Sequence, residues 1–164
     1  MNLAAEAVSV FTFKAGLLSR VAHDLHLRVD GATLTRDGDQ VTGRFPVAGI
    51  RVERAVSGGS LSASDRAKIE RTMRDEILHA GRFPTVTWAG SPARDGDTLR
   101  FEGALTLHGQ THPAAFAGRL EAGALVADAW LTPSRWGIPP YKALLGAIQL
   151  QDRVRVSLRI PDWG

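Results

Sequence analysis

Four of the five histidines fall in two pairs, His23 with His26 and His108 with His112. Imidazoles serve as metal ligands and general bases, so each pair is a candidate for metal or acid–base chemistry. His23 and His26 are three apart, with Asp24 between them. On a strand that spacing sends the rings to opposite faces, whereas a turn lets them converge. His108 and His112 flank a hairpin turn that could bring them together. Neither pair belongs to an HExxH helix, and the chain has no Gly-rich phosphate loop and no nucleophile elbow. Ser19, His23 and Asp24 supply three triad residue types, but nearness in sequence is not triad geometry. Asp128, between Val126 and Trp130, is the one acidic residue among apolar neighbours, and acid–base work by carboxylates needs two. With no cysteine, thiol catalysis, disulfides and Cys-ligated metals are excluded. The ordinary reading of the histidines is turn and surface. A His23-dependent metal enzyme is the catalytic alternative, and no cofactor is expected.

The elements that must position these residues are mostly strands. In Arg153–Ile160, Val154, Val156, Leu158 and Ile160 share one face, and Arg153, Arg155, Ser157 and Arg159 share the other. Such period-2 alternation gives one dry face and one wet face. Leu99–Leu107 repeats it, with Leu99, Phe101, Leu105 and Leu107 inward. Ser9, Phe11 and Phe13 alternate with Val8, Val10 and Thr12, and Leu25, Leu27 and Val29 with His26, Arg28 and Asp30. Asp37-Gly38 and Asp95-Gly96 are hairpin signals, because glycine supplies the positive φ of a tight turn. Further turns are expected at Gly109 and at Ala122-Gly123, leading into strands over Ala114–Leu120 and Ala124–Leu131. A run of short strands joined by turns indicates a sandwich or barrel.

One segment departs from this pattern. Ser64 is a candidate cap for a helix over about Asp65–Ala80, which Gly81 would end. Ile69, Met73 and Ile77 form a single apolar stripe on it.

At 164 residues the chain is expected to be one domain, 1–164. A domain of that size buries roughly 70% of its unfolded surface and needs no staple. Twenty Lys+Arg against seventeen Asp+Glu, dispersed along the chain, give no clustered basic face for nucleic acid. No window is long and apolar enough to span a membrane, and the first residues do not read as a signal peptide, so a cytoplasmic protein is expected. A homodimer is left open. Trp88, Trp130, Trp136 and Trp163 are core-filling residues by type. The inward positions Gly103, Ala115, Ala117, Ala127 and Ala129, set beside Phe11, Phe13, Phe101 and Trp88, favour a barrel with internal space.

Several stretches together resemble the YceI-like family. Phe83-Pro84 before the strand Thr85–Trp88 resembles its Phe-Pro motif. Gly103-Ala104-Leu105-Thr106-Leu107-His108-Gly109, closed by Pro113, resembles its Gly-x-Leu-Thr-Leu-x-Gly hairpin. Trp136-Gly137-Ile138-Pro139 resembles its aromatic-Gly-Ile turn, and Asp152-Arg153-Val154-Arg155-Val156 its closing Asp-x-Val-x-Val strand. The order is right and the match spans nearly the whole chain. The resemblance implies an all-β, lipocalin-like, extended antiparallel barrel with one inserted helix. It further implies non-catalytic binding of a long apolar or amphiphilic lipid, typically a polyisoprenoid. On that reading Leu99, Phe101, Leu105, Val154, Val156 and Leu158 line a dry tunnel, with Phe11, Phe13 and Trp88 beside them. Gly103 borders it where a side chain would intrude, and a polar head sits at the mouth near His23 or an arginine. A barrel packed shut, acting through a surface partner, is the alternative. The chain departs from the family at His23–Leu27, where small residues and glycine are usual, and in its Arg-rich helical insert.

Overall fold

A computed structural model describes residues 2–4, 7–15, 23–57 and 59–163. Among them the strands are β1 (Asn2–Ala4), β2 (Ala7–Lys14), β3 (Asp24–Val29), β4 (Thr33–Asp37), β5 (Gln40–Pro46), β6 (Ile50–Ser57), β7 (Thr85–Asp95), β8 (Thr98–Leu107), β9 (Gln110–Pro113), β10 (Phe116–Glu121), β11 (Ala124–Leu131), β12 (Lys142–Ala143) and β13 (Ile148–Ile160). All pair antiparallel in one curled sheet of order β1-β4-β5-β7-β8-β10-β11-β13-β2-β3-β6, with β9 on β8 and β12 on β13. The sheet makes a half-barrel. A helix and the 133–147 connection complete the enclosure.

The turns follow from local chemistry. Gly38 (φ 56°) and Gly96 (φ 61°) take the first loop position of two-residue hairpins, and Asp37 and Asp95 end the preceding strands. His108-Gly109 and Ala122-Gly123 both have positive φ at each loop position, the type I′ arrangement whose twist matches the strands.

The helix α1 (Ala63–Arg71) starts earlier than the sequence suggests. Its cap is Ser62, not Ser64: the Ser62 hydroxyl accepts from the Asp65 N–H at 3.0 Å, and the Asp65 carboxylate accepts from the Ser62 N–H at 3.3 Å. This reciprocal capping box satisfies two otherwise orphaned donors. From Thr72 to Ile77 the coil widens to a π-helix, with the Leu78 N–H reaching back to the Met73 carbonyl. The wider turn lets Met73, Ile77 and Leu78 all face the barrel interior. Ile69 and Met73 also pack on Leu25, Leu27 and Val52 of β3 and β6.

The main core fills one end of the barrel, with Phe101, Leu125, Ile160, Trp163 and Trp88 buried together. Phe101 stacks on Phe116 at 4.4 Å and meets Trp163 edge-on at 5.4 Å. The C-terminal segment is tied down there by the Trp163 N–H on the Gly123 carbonyl and by Arg36 Nη1 on the Trp163 carbonyl.

Candidate functional site

Above that plug lies an apolar cavity of about 290 Å³. Its wall is built from alternate residues of successive strands. Val8, Val10 and Thr12 come from β2, Leu105 and Leu107 from β8, Ala129 and Leu131 from β11, and Val154, Val156 and Leu158 from β13. Trp88 and Phe116 form its floor beside Leu34. The indole N–H of Trp88 donates to the Ala114 carbonyl at 2.8 Å, so the ring presents only carbon to the space. Met73, Ile77 and Leu78 cover it, and Ile138, Pro139, Pro140 and Tyr141 form the rim. Trp136, buried behind Ile138, donates to the Leu105 carbonyl at 2.9 Å and fixes that turn. Gly137, at φ 74°, holds a left-handed backbone conformation that favours glycine.

A second cavity of about 430 Å³ adjoins the rim and shares Ile77, Ile138, Pro139, Pro140 and Tyr141 with the first. Its remaining walls are polar: Glu76, His79, His108, Lys142 and the Gly137 backbone. The rings of His79 and His108 lie 5.3 Å apart, and Phe83 packs on His108 at 4.9 Å. A dry tunnel thus opens into a mouth that carries hydrogen-bonding and charged groups.

Five of the residues singled out in the sequence meet in this wall: Trp88, Leu105, Val154, Val156 and Leu158. Six do not line it. Leu99 and Phe101 share a face with Leu105 but sit deeper, in the plug. Gly103 lies under the Trp88 indole, where a Cβ would come within 2.4 Å of the ring. It makes room for the tryptophan and does not border the space. Phe11 and Phe13 are on the outer face of β2, because Val8, Val10 and Thr12 take the inner one. Phe11 stacks on His26 at 4.6 Å under Arg155, and Phe13 stacks on Trp130 under Arg153. Of the small residues read as inward, Ala115 and Ala129 line the cavity, Ala127 is buried in the core and Ala117 is exposed.

The histidine chemistry disperses. His23 is away from the mouth, its Nδ1 donating to the Ser57 carbonyl at 3.3 Å. Asp24 accepts from the Lys14 N–H and the Ser57 hydroxyl, each at 2.7 Å, which clamps β2, β3 and β6 together. His26 is hydrogen-bonded to the Ser9 hydroxyl. His108 turns to His79 and His112 to Trp136, so the two flanking the hairpin do not pair. Ser19 lies outside the described residues. Asp128 is exposed, 3.4 Å from Arg155. Among the described residues no three His, Asp or Glu side chains gather as a metal site, and no helix is long and apolar enough to cross a membrane.

Sequence reasoning assigned the helix no lining residue, and it missed the Pro139–Tyr141 rim and the His79–His108 mouth. The stripe Ile69, Met73, Ile77 was the available signal for the first. Nothing local signals the other two, which arise where loops from distant strands meet.

The model of the YceI-like domain matches residues 5–161. Among solved structures, the chain is similar to BcnA of Burkholderia cenocepacia, with 13% identity, TM-score 0.61 and 94% of each chain covered. A polyisoprenoid-binding domain from Saccharophagus degradans, implicated in plant cell wall breakdown, aligns at 10% identity and TM-score 0.63, over 97% of this chain and 95% of that one. A YceI protein of Campylobacter jejuni aligns at 10% identity and TM-score 0.52, covering 81% and 83%. These likenesses show the fold. No curated protein matches the chain in sequence.

Proposed function

The chain belongs to the YceI-like family, and from that premise we propose that it is a non-catalytic carrier of a long-chain, isoprenoid-like lipid. The observation that carries this reading is the apolar cavity of about 290 Å³ running into a polar mouth. A tail that enters leaves water, worth about 0.8 kcal/mol for each buried CH₂. Association entropy and chain ordering offset much of that gain. The cavity is small beside the roughly 300–1,000 Å³ usual for ligand sites, so a tail section fills it and the rest extends into the mouth. There Tyr141, Lys142, His79 and His108 can meet a polar or anionic head. That moves the head site away from His23. The polyisoprenoid-binding neighbour supports the choice of ligand class.

The test is to extract purified protein with organic solvent and examine the extract by mass spectrometry. An isoprenoid or another long-chain amphiphile is expected, approaching one per chain. Ala129→Phe, which places a ring in the tunnel, should carry less. An empty extract, with no binding and no rise in melting temperature on adding polyprenol or fatty acid, would overturn the carrier reading.

A further inference from the structure

We propose that the β12–β13 hairpin is a membrane-docking finger: Leu144 and Leu145 insert into a bilayer containing anionic lipid and seat the tunnel mouth on it. The hairpin is short and held at its base. Lys142 pairs with Gln149 and Ala143 with Ile148, and the Leu150 N–H donates to the Tyr141 carbonyl at 3.0 Å. Tyr141 and Leu150 line the tunnel, and Lys142 lines the polar mouth. The tip therefore projects from the rim itself.

Two features of the tip need a cause. Leu144 is 67% exposed and Leu145 fully exposed, although each would gain by burial. Both also hold positive φ, 50° and 56°, a backbone region that is sparsely populated for non-glycine residues. Strain of this kind persists where the surroundings over-determine it, and it clusters at functional sites. Glycine or asparagine would relieve it, yet the chain presents two consecutive leucines.

The surroundings select the occupant. From Ile138 to Gln151 the sequence has no carboxylate, and its one charge is Lys142; the acids on the rim are Glu76 in the mouth and Asp152, whose carboxylate accepts from the Ser134 N–H and hydroxyl. Lys14 stands beside this hairpin, in register with Leu150. Exposed Pro139 and Pro140 continue the apolar rim. A small apolar tip with basic flanks suits shallow insertion among anionic headgroups. It is too small for a stable protein–protein interface, which takes about 1,000 Å² or more. Docking here would also let a lipid pass from bilayer to tunnel without crossing water. That consequence rests on the carrier reading, but the docking itself does not.

The experiment is flotation of the full chain with phosphatidylcholine vesicles, with and without phosphatidylglycerol. The decisive variant is Leu144→Asn with Leu145→Asn, because asparagine tolerates positive φ and the hairpin should stay folded. The parent protein should float with the mixed vesicles, and the double variant should lose about tenfold or more of that binding. Lys142→Gln should weaken binding to the anionic vesicles alone, and added salt should mimic it. Equal flotation of parent and double variant, or none by the parent, would overturn the proposal. So would a parent dimer in sedimentation that the double variant abolishes, since a second copy would then cover the leucines. Polyprenol binding, read as a rise in melting temperature without vesicles, is measured in parallel. Neither leucine lines the tunnel, so the double variant should keep it. A parent that binds polyprenol but does not dock sinks the finger alone, and a parent that docks but binds no polyprenol sinks the carrier alone.

Discussion

At the scale of single residues, Trp88 shows how the tunnel floor is made. Its indole lies flat because Gly90 and Gly103, paired across β7 and β8, leave no Cβ beneath it. A Cβ on Gly103 would come within 2.4 Å of both the ring and the Ala89 carbonyl. Gly103→Ala should therefore cost about 2 kcal/mol, through overpacking, and lower the melting temperature. Calorimetry reads this directly, and an unchanged transition would mean that Trp88 moves aside freely. Gly103→Leu, which as a tunnel-bordering change would chiefly affect binding, should act first on stability. Thr12 points the other way. It is the one buried polar residue among those described, and its hydroxyl has no hydrogen-bond partner there. A buried hydroxyl without a partner costs about 1–3 kcal/mol. Thr12→Val should raise the free energy of unfolding by about 1 kcal/mol, read as a higher denaturation midpoint, and a fall would reveal a partner for the hydroxyl.

At the scale of elements, the helical insert and the β3–β6 edge depend on each other. α1 has no buried residue of its own, and Ile69 and Met73 hold it against Leu25, Leu27 and Val52. Ser62→Ala removes the capping box and should cost about 1 kcal/mol, with faster amide exchange in the first turn. Unaltered exchange would show that tertiary packing alone holds the helix. On the outer side of β3, His26 is packed between Phe11 and the Ser9 hydroxyl. Burial, and then the nearby Arg54, push its pKa below the ordinary 6.5, with Glu53 opposing. The unfolded chain then binds a proton that the folded chain resists. Stability should be intact above about pH 6.5 and fall as the pH drops through the folded pKa. His26→Gln should flatten that part of the melting profile; an unchanged slope would assign it to other groups.

At the scale of the whole molecule, the barrel is filled at one end and hollow at the other. Phe101, Phe116, Trp163 and Leu125 close the end bearing the tight β4–β5, β7–β8 and β10–β11 turns. The hollow end is covered by the π-helical turn and the proline-rich rim. A ligand that binds only the folded state stabilises it, by about 2.7 kcal/mol at a hundredfold excess over Kd. Delipidated protein should thus melt lower than protein as purified, and added polyprenol should restore the difference. Ala129→Phe should melt at one temperature with or without lipid, and a full ligand shift in that variant would place the tail elsewhere.

The sequence by itself determined the strands, the hairpins and the family, because alternation, Gly-bearing turns and spaced motifs are local chemistry. Val154, Val156 and Leu158 could be read as one dry face from their spacing alone. Only the tertiary structure decided which face of β2 is inside. Both faces of that strand carry apolar side chains, and the choice falls to the outer stacks of Arg153 on Trp130 and Arg155 on Phe11. Depth was decided there as well. Leu99, Phe101 and Leu105 share a face, yet Phe101 plugs the barrel and Leu105 lines the tunnel. Alternation fixes a side chain's direction across the sheet. Its height along the barrel depends on what the far strands and the helix place opposite, and that is a long-range property of the fold.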